Sequence, residues 1–501
     1  MKTRWKKLSV LLLAAVTLTN STAFAESADA TAAAKHYTVG VTYLPDGVDA
    51  ANGWALTGYG IAETVYMQDA NGDLYSRFVD TATREDDTTW KLTLKQGVKF
   101  SDGSEVDAYA LADCMNEGQE TNGGTSTCGK ITSTADDTYE LTMTTERSTP
   151  VLQSALCEMN SFVYKTLDDG TAVYTGPWMP TSVEAGYSID TTPNPYYDDQ
   201  AANRPDVTLL QFSDSTSMQQ AFESGELDMA YALTPEASNQ LKDEGYHVLD
   251  FDGGYQYFAI LNEQRTPLDD LNVRKAISLV MDRSEMVDAL YGCLPATGFF
   301  GHKFAFNADI DFTTDIEQAK QCLADAGYTD TDGDGYVDKD GENLSFEITT
   351  YNMHPELPSM MLIMASELEK AGIQTTTNIL DGGMDKFASE GDYDIILYGG
   401  YTGNTSDPAT KLNAFFKTGG STNYNGYSNP DVDAMLEELD NCPVGDERNQ
   451  LAIDIQEKVA EDLPVIYLID SQFHAAVIDE LANYAPYGGD YYIINDQFGL
   501  N

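Results

Sequence analysis

The stretch Thr89 to Glu117 constrains the fold more than any other part of this sequence. Its apolar residues first alternate with polar ones, the period of a β-strand with one buried face: Trp90, Leu92 and Leu94. A Gln-Gly pair at 96–97 then predicts a turn and residues 98–100 a second strand, so a hairpin is expected. After a further turn at 101–103, Asp107 can cap a helix, and the inner face of that helix would carry Ala108, Leu111, Ala112 and Met115. The stretch therefore predicts a small α/β unit.

The N-terminus has the organisation of a secretory signal peptide. Four basic residues precede the apolar run Leu8 to Leu18, and Ala23-Phe24-Ala25 provides the small residues of a cleavage site before Glu26. Residues 1–25 are therefore predicted to be a signal peptide, with a retained N-terminal anchor as the alternative. We expect an exported protein, periplasmic or extracellular, that is soluble after cleavage.

The chain is strongly acidic. Its 501 residues include 81 Asp and Glu but only 28 Lys and Arg, which gives a formal net charge of −53. Such a chain repels nucleic acid and anionic membranes, so neither is an expected partner. The negative charge has two interpretations, and both stay open. It can keep the protein soluble in a salty or acidic medium, or it can reflect a preference for cationic solutes. The 42% hydrophobic composition argues against disorder, and the length predicts two or three domains.

The six cysteines contain no CxxC pair, which argues against a zinc or iron–sulfur site. In an exported chain they can form disulfides, and the pair expected first is Cys114 with Cys128, because it would close a short loop. Reduced, buried thiols are the alternative.

Motifs for catalysis are missing from the sequence. The stretch Gly124 to Lys130 lacks the final Ser or Thr of a phosphate loop, and no HExxH or GxSxG motif occurs. We therefore expect no enzyme activity and no required cofactor, and a secreted hydrolase is kept only as a remote alternative.

The acidic stretch 330–342 is a candidate calcium loop. Oxygen donors stand at the spacing of such a loop, with a backbone carbonyl at the seventh position: Asp330, Asp332, Asp334, Tyr336 and Asp338. The twelfth position is Gly341 where a bidentate Glu is required. Calcium binding and a plain acidic hairpin remain equal alternatives.

Beyond these patterns, the chain resembles the family 5 extracellular solute-binding proteins, the peptide and nickel receptors of ABC importers. The resemblance starts in W-x-L-x-L-x-x-G-V-x-F-S-D-G-x-x-V-D-A within residues 90–108. It continues, in the family's order, through the TGPW segment 175–178, the NPYY segment 194–197 and the segment 218–229. It continues with Val273-Arg274-Lys275-Ala276-Ile277 and Met281-Asp282-Arg283, which the family places on one helix, and it covers essentially the whole chain after residue 25.

This resemblance implies a two-lobed, periplasmic-binding-protein-like α/β fold with an inserted subdomain and a ligand cleft between hinged lobes. The implied boundaries are 26–50, 173–262 and 475–501 for lobe one, 51–172 for the inserted subdomain, and 263–474 for lobe two. Sequence patterns alone predict only a mixed α/β chain.

The solute is not defined by the motifs of either subfamily. In peptide-binding relatives an Asp three residues before an Asp-Pro pair receives the peptide ammonium group, and here Asn404 stands at that place before Asp407-Pro408. The segment His354 to Pro358 resembles the R-P-E-L-P segment of nickel-type and metallophore-type relatives. The arginine that those relatives use in the pocket is absent from residues 152–164. The resemblance implies a ligand-binding set of aromatic and polar residues, namely Tyr43, Trp54, Tyr255, Tyr257, Tyr401 and Asn404.

We therefore interpret the chain as an exported receptor that captures a short peptide or peptide-like solute for an ABC importer. The expected partners are this solute and the permease and ATPase subunits of the transporter, and the receptor itself is expected to be a monomer. The alternative within the same class is a receptor for nickel or a metallophore chelate. A calcium-dependent adhesion or sensing module is the more distant alternative.

Overall fold

The computed structural model describes residues 35–290, 293–352, 354, 356–488 and 491–500, without the side chains of Ala51, Trp54 and Asn122. The predicted signal peptide, residues 1–25, lies outside the described residues. None of the helices in these ranges has the length and hydropathy needed to cross a bilayer.

The strands follow one another along the whole described chain. In chain order they are β1 (His36–Val41), β2 (Met67–Gln68), β3 (Leu74–Tyr75), β4 (Val79–Arg84), β5 (Thr89–Leu94), β6 (Ile131–Asp137), β7 (Glu140–Thr145), β8 (Tyr164–Thr166), β9 (Ala172–Tyr174), β10 (Trp178–Glu184), β11 (Ser188–Pro193), β12 (Asp206–Gln211), β13 (Met229–Tyr231), β14 (His247–Leu261), β15 (Leu294–Pro295), β16 (Asp338–Lys339), β17 (Glu342–Asn343), β18 (Ser345–Tyr351), β19 (Gln374–Leu380), β20 (Ile395–Tyr401) and β21 (Val465–Val477).

Helices alternate with these strands. They are α1 (Gly53–Gly58), α2 (Ala108–Asn122), α3 (Leu152–Ala155), α4 (Ser215–Glu223), α5 (Pro235–Glu244), α6 (Leu271–Val280), α7 (Arg283–Leu290), α8 (Ile316–Asp325), α9 (Leu357–Lys370), α10 (Met384–Glu390), α11 (Pro408–Phe416), α12 (Pro430–Asn441) and α13 (Asp446–Asp462). Short 3₁₀ turns lie at Ala50–Asn52, Met159–Ser161, Ala201–Asn203 and Asp479–Leu481.

A mixed sheet runs through the molecule in the order β10-β11-β12-β1-β13-β21-β14-β20-β18-β19, with β15 added to β21. Its two longest strands, β14 and β21, are antiparallel neighbours at its centre. Their register shifts between Asp252 and Gln256, where β14 bulges. A separate sheet, in the order β4-β5-β7-β6, forms from residues 79–145.

The two long strands connect two hydrophobic cores. One core consists of residues between 257 and 469, and it takes the C-terminal half of β14 and the first half of β21. Another includes residues 37–62, 162–231 and 475–498, and the opposite halves of the same strands pack against it. The fold is thus a mixed α/β architecture in which two strands cross from one core to the other. The residue boundaries of the lobes and of the inserted subdomain stay a prediction.

The 89–117 stretch forms most of the unit that its pattern predicts. The strand β5 and the helix α2 are confirmed, and the Asp107 side chain caps α2 by accepting from the Ala110 backbone N–H at 2.8 Å. The hairpin is wrong: residues 98–100 form only an isolated bridge between Lys99 and Glu105. The reason is local, because the backbone at 98–106 hydrogen-bonds to itself in a tight loop. The edges of β5 are therefore left to pair with β4 and β7.

The motif expected on one helix is divided between two. Residues 273–277 lie in α6, but α6 ends at Val280 and Arg283 begins α7. The carboxylate of Asp282 accepts from the backbone N–H groups of Ser284 and Glu285, at 3.0 and 3.2 Å, and so starts a new helix.

The expected disulfide between Cys114 and Cys128 is absent, since all six cysteines are free thiols. Their sulfur atoms have other partners. The Cys114 thiol accepts from the Tyr164 backbone N–H at 3.2 Å, and the Cys128 thiol lies 3.2 Å from the Thr125 hydroxyl. Burial raises the pKa of Cys114 and of Cys157 to about 12 and of Cys128 to about 11, so these thiols stay protonated and unreactive.

Candidate functional site

The candidate site lies where β14 bulges at the centre of the large sheet. Gly253 and Gly254 occupy the bulge, and Gly254 has φ +74°, a left-handed conformation that favours glycine. A Cβ atom on Gly253 would lie 2.1 Å from the Phe473 ring, and one on Gly254 would lie 2.3 Å from the Tyr401 ring. Glycine is required here because two aromatic rings pack directly on the backbone.

Aromatic rings from five parts of the chain meet beside this bulge. We call this group the aromatic cluster, and it consists of Tyr255, His354, Tyr401, Phe473 and Tyr491. The Tyr255 ring lies 4.9 Å from His354, 5.9 Å from Tyr401 and 5.7 Å from Phe473, and Tyr401 lies 5.2 Å from Tyr491. Such rings offer a large contact area without selecting one side-chain chemistry.

His354 is the uncharged polar member of the cluster. Burial lowers its pKa to about 4, so the imidazole is neutral at physiological pH. Besides Tyr255, the rings of Tyr257 and Tyr351 lie 5.8 and 6.0 Å from it. A neutral imidazole keeps one nitrogen lone pair that can accept a hydrogen bond or bind a metal ion.

Charged groups border the aromatic cluster. The Lys303 ammonium group donates to the Tyr401 hydroxyl at 3.3 Å and lies 5.1 Å from the centre of the Phe304 ring. The preceding residue, His302, forms a close pair with Asp470 through Nδ1. This hydrogen bond raises the pKa of His302, whereas burial raises the pKa of Asp470. Asp252 lies on the bulged strand, and its carboxylate accepts from the Gly254 backbone N–H at 2.7 Å.

Gln68 connects the N-terminal part of the chain to this site. Its side-chain amide donates to the Gly403 carbonyl at 2.7 Å and to the Ser406 hydroxyl at 2.6 Å. Its amide oxygen accepts from the Tyr401 hydroxyl at 2.8 Å. The residue is 1% exposed. We call these three hydrogen bonds the Gln68 contact. It holds the loop after β20 against β2, and a second link joins the hydroxyls of Thr127 and Thr410 at 2.8 Å.

The structure brings some of the predicted ligand-binding residues together. Tyr255 and Tyr401 are paired on neighbouring strands, and Tyr257 faces the same side of β14 as Tyr255. Tyr257 is nevertheless fully buried, and its hydroxyl donates to the Glu356 carboxylate. It therefore packs beneath the aromatic cluster, against His354, and is not exposed to a solute. Asn404 lies in the loop that Gln68 contacts, and its side-chain oxygen is buried without a hydrogen-bond donor among the described residues.

The other two predicted residues lie near the N-terminus of the described chain. Tyr43 follows β1, its side chain is 43% exposed, and its backbone carbonyl accepts from the Tyr59 hydroxyl. Trp54 belongs to α1, and its side chain lies outside the described part of the structure.

Sequence reasoning missed Gln68, Asp252, Lys303 and Tyr491. No motif marks them. Gln68, Lys303 and Tyr491 reach the site through contacts with residues far away in the chain, and Asp252 reaches it through the bulge of β14. A weak signal was available for Asp252, because the Gly-Gly pair that follows it inside a strand pattern is typical of a bulge.

The stretch 330–342 lies apart from these residues and contains a short hairpin made by β16 and β17. The carboxylates of Asp330, Asp332 and Asp338 approach one another, with one oxygen from each within 4.8 Å of the others. Asp334 is directed differently, since its carboxylate accepts from the Asn343 side chain at 3.1 Å and from the Tyr336 backbone N–H at 2.8 Å. The hairpin is present, and calcium binding stays a prediction.

Comparison with known proteins gives one consistent family. The sequence model of the protein family described as "Bacterial extracellular solute-binding proteins, family 5 Middle" matches residues 62–423. A probable D,D-dipeptide-binding periplasmic protein of Escherichia coli is 24% identical over 448 residues, which are 83% of this chain and 82% of that protein.

Solved structures of related proteins match over almost the entire chain. A nickel ABC transporter protein from Bacillus halodurans is 26% identical with a TM-score of 0.78, covering 92% of this chain and 99% of that one. NikA from Staphylococcus aureus, solved in complex with Ni(L-His)₂, is 22% identical with a TM-score of 0.75, covering 92% and 98%. These matches confirm the periplasmic-binding-protein-like fold.

Proposed function

The chain belongs to the family 5 bacterial extracellular solute-binding proteins, and from this premise we propose that it captures a short peptide or peptide-like solute and delivers it to an ABC importer. Members of this family are extracellular or periplasmic and bind solutes for transport. In this proposal the receptor binds without catalysis, and its partners are a membrane permease and an ATPase.

The observation that carries the proposal is the aromatic cluster, because two of its members, Tyr255 and Phe473, lie on the strands that cross between the two cores. A solute bound there touches residues that belong to both cores, so binding is coupled to their relative position. Tyrosine rings suit a receptor for peptides, because they contact side chains of different shapes with similar energy.

Thermal unfolding with a pool of di- and tripeptides tests this function. A ligand at 100 times its Kd stabilises the folded state by about 2.7 kcal/mol, so the transition temperature should rise with peptide concentration. Tyr255→Leu should reduce this rise. Tyr246→Leu is the matched control, since Tyr246 is 38% exposed and packs on Phe222 instead. Peptide cleavage at a rate proportional to protein concentration would overturn the proposal, as would the absence of stabilisation by every peptide.

A nickel or metallophore chelate is the second candidate solute, and His354 favours it. A neutral imidazole in an aromatic site can complete the coordination of a metal whose other ligands come from a small chelator. Titration with Ni(L-His)₂ should then change the nickel absorption spectrum, and His354→Gln should remove that change. His247→Gln is the control, because His247 is an exposed residue beside Asp479. Tighter binding of this chelate than of any peptide would replace the peptide proposal.

A further inference from the structure

A short segment, residues 301–304, runs along the candidate site, and we call it the strap. Within it, the Lys303 ammonium group donates to the Tyr401 hydroxyl at 3.3 Å. The Phe304 ring packs directly on Gly72, because a Cβ atom on Gly72 would lie 2.8 Å from that ring. Gly72 belongs to the turn between β2 and β3, whereas Tyr401 lies at the end of β20, on the other side of the Gln68 contact. The strap therefore packs against both sides of the Gln68 contact.

His302, in the middle of the strap, is fixed to the crossing strand β21. One carboxylate oxygen of Asp470 contacts His302 twice, since it accepts from the His302 backbone N–H at 3.2 Å and is bonded to the ring Nδ1. Asp470 directly follows Ile469, the last residue that β21 contributes to the core formed by residues 257–469. The His302–Asp470 pair therefore lies where β21 passes from one core to the other.

Asp470 depends on His302 for its counter-charge. The Asp470 carboxylate is buried, and among the described residues its second oxygen has no hydrogen-bond donor and no Lys or Arg nitrogen lies within 4.0 Å of it. With a protonated imidazole the pair is neutral, whereas loss of that proton leaves a buried negative charge without a partner. An uncompensated buried charge is costly, so the contact between the strap and β21 weakens when the proton leaves.

The groups around the pair favour the protonated imidazole. The hydrogen bond with Asp470 raises the pKa of His302 above its usual value of about 6.5, burial opposes this effect, and the charges of Asp252 and Asp309 raise the pKa further. Beside β15, the Cys293 thiol is uncharged, because burial raises its pKa to about 12. The stabilising charge of His302 is therefore complete below about pH 6.5 and is lost as the pH rises through the raised pKa of His302.

We propose that the His302–Asp470 pair is a proton-dependent clamp on the strap: the protonated pair holds Lys303 and Phe304 against their partners, and loss of the proton releases the strap and lowers solute affinity. This inference rests on the proposed function and concerns the regulation of the same site. Because the strap packs against both sides of the Gln68 contact, solute and proton favour the same arrangement. Each should therefore bind more tightly in the presence of the other.

Calorimetry in two buffers of equal pH but different heats of ionisation measures the protons that are taken up on binding. The probe is an equimolar pool of dipeptides, the dipeptide pool. Loss of one charge-assisted hydrogen bond should weaken binding about 10-fold, the lower end of the range for such bonds, because the His302 side chain is 38% exposed. A 10-fold effect corresponds to an uptake of up to about half a proton per bound solute near the midpoint of the titration.

Variants separate this uptake from the titration of the dipeptide amine, whose pKa is near 8. His302→Gln should take up about half a proton less than the wild type, and its affinity at every pH should be close to that of the wild type at high pH. Asp470→Asn should lose the same uptake, because the imidazole then has no charged partner. The matched control is His247→Gln, which removes an exposed His–Asp pair at the start of β14 and should keep the full uptake. Saturable binding of the dipeptide pool shows that each variant is folded, and His302→Gln decides the question by itself if Asp470→Asn does not fold.

The outcomes separate this inference from the proposed function. If His302→Gln takes up as many protons as the wild type, the clamp proposal is wrong while peptide binding stands. An uptake that His302→Gln loses and folded Asp470→Asn keeps would also refute it, because His302 would then act without its partner. If the dipeptide pool does not bind and Ni(L-His)₂ does, the peptide function fails, and the same calorimetry of wild type and His302→Gln with this chelate decides whether the clamp stands.

Discussion

Replacing Gln68 with leucine should impair closure of the binding site. Leucine has a similar size but cannot make the Gln68 contact, so three buried hydrogen bonds to the loop at 401–406 are lost. Each contributes about 0.5 to 1.5 kcal/mol net, which gives about 2 to 4 kcal/mol for the set. We call the arrangement in which the Gln68 contact is made the closed form. Because this contact joins residues more than 330 positions apart, the loss falls on the closed form rather than on either part alone.

Solute affinity should fall with the population of the closed form. The energy above corresponds to about 30- to 1000-fold in Kd, measured by calorimetry with the dipeptide pool. Small-angle scattering of the ligand-bound protein should show a larger radius of gyration for Gln68→Leu than for the wild type.

Gln119→Leu provides the matched control for this experiment. Gln119 is also buried, and its side-chain oxygen accepts from the Ile131 backbone N–H at 2.9 Å within the N-terminal α/β unit. This variant should lower the free energy of unfolding without changing solute affinity. The reasoning is refuted if Gln68→Leu keeps both the wild-type affinity and the wild-type scattering curve.

Three further predictions concern other parts of the molecule. If the acidic loop binds calcium, Asp332→Ala should weaken calcium binding at least about 10-fold, measured by calorimetry at millimolar calcium. Asp334→Ala should have a smaller effect, because the Asp334 carboxylate is directed to Asn343. If the wild type gives no heat of binding, the loop is a plain acidic hairpin without a calcium site. Asn404→Asp should lower the free energy of unfolding at pH 7 by about 1 to 3 kcal/mol, measured by urea denaturation. The reason is that the Asn404 side-chain oxygen is buried without a hydrogen-bond donor, so a carboxylate there would also be unpaired. An unchanged free energy of unfolding would show that this oxygen is hydrated. Glu367→Gln should stabilise the protein at alkaline pH. Burial raises the pKa of Glu367 from about 4.5 in the unfolded chain to about 8 in the folded protein. The wild type therefore loses stability as the pH rises from about 4.5 to above 8, because the buried carboxyl group becomes charged. The gain should reach up to about 4 kcal/mol at pH 9 and vanish near pH 4, and a gain that does not depend on pH would contradict the ionisation argument.

Local pattern was sufficient for the elements whose stability is local. Alternation at Trp90, Leu92 and Leu94 predicted β5, and Asp107 predicted the start of α2, since a side-chain cap and a buried helix face depend on neighbouring residues. The same reasoning failed at residues 98–100, where a tight loop uses the backbone groups that a strand needs. The order of motifs along the chain was sufficient for the family.

The sequence by itself therefore determined local elements such as β5 and the start of α2, the α/β class and the family, whereas the tertiary structure decided which residues form the site. Tyr255 and Tyr401 could be proposed because the family resemblance implies aromatic residues at the ligand cleft. Gln68 and Lys303 could not, because each gains its role only from a partner about 100 or more residues away. Asp252 lies beside the aromatic cluster only because Gly253 and Gly254 let β14 bulge around two rings. Contacts of this kind leave no periodic signal, since they depend on how the two cores meet and not on the residues on either side.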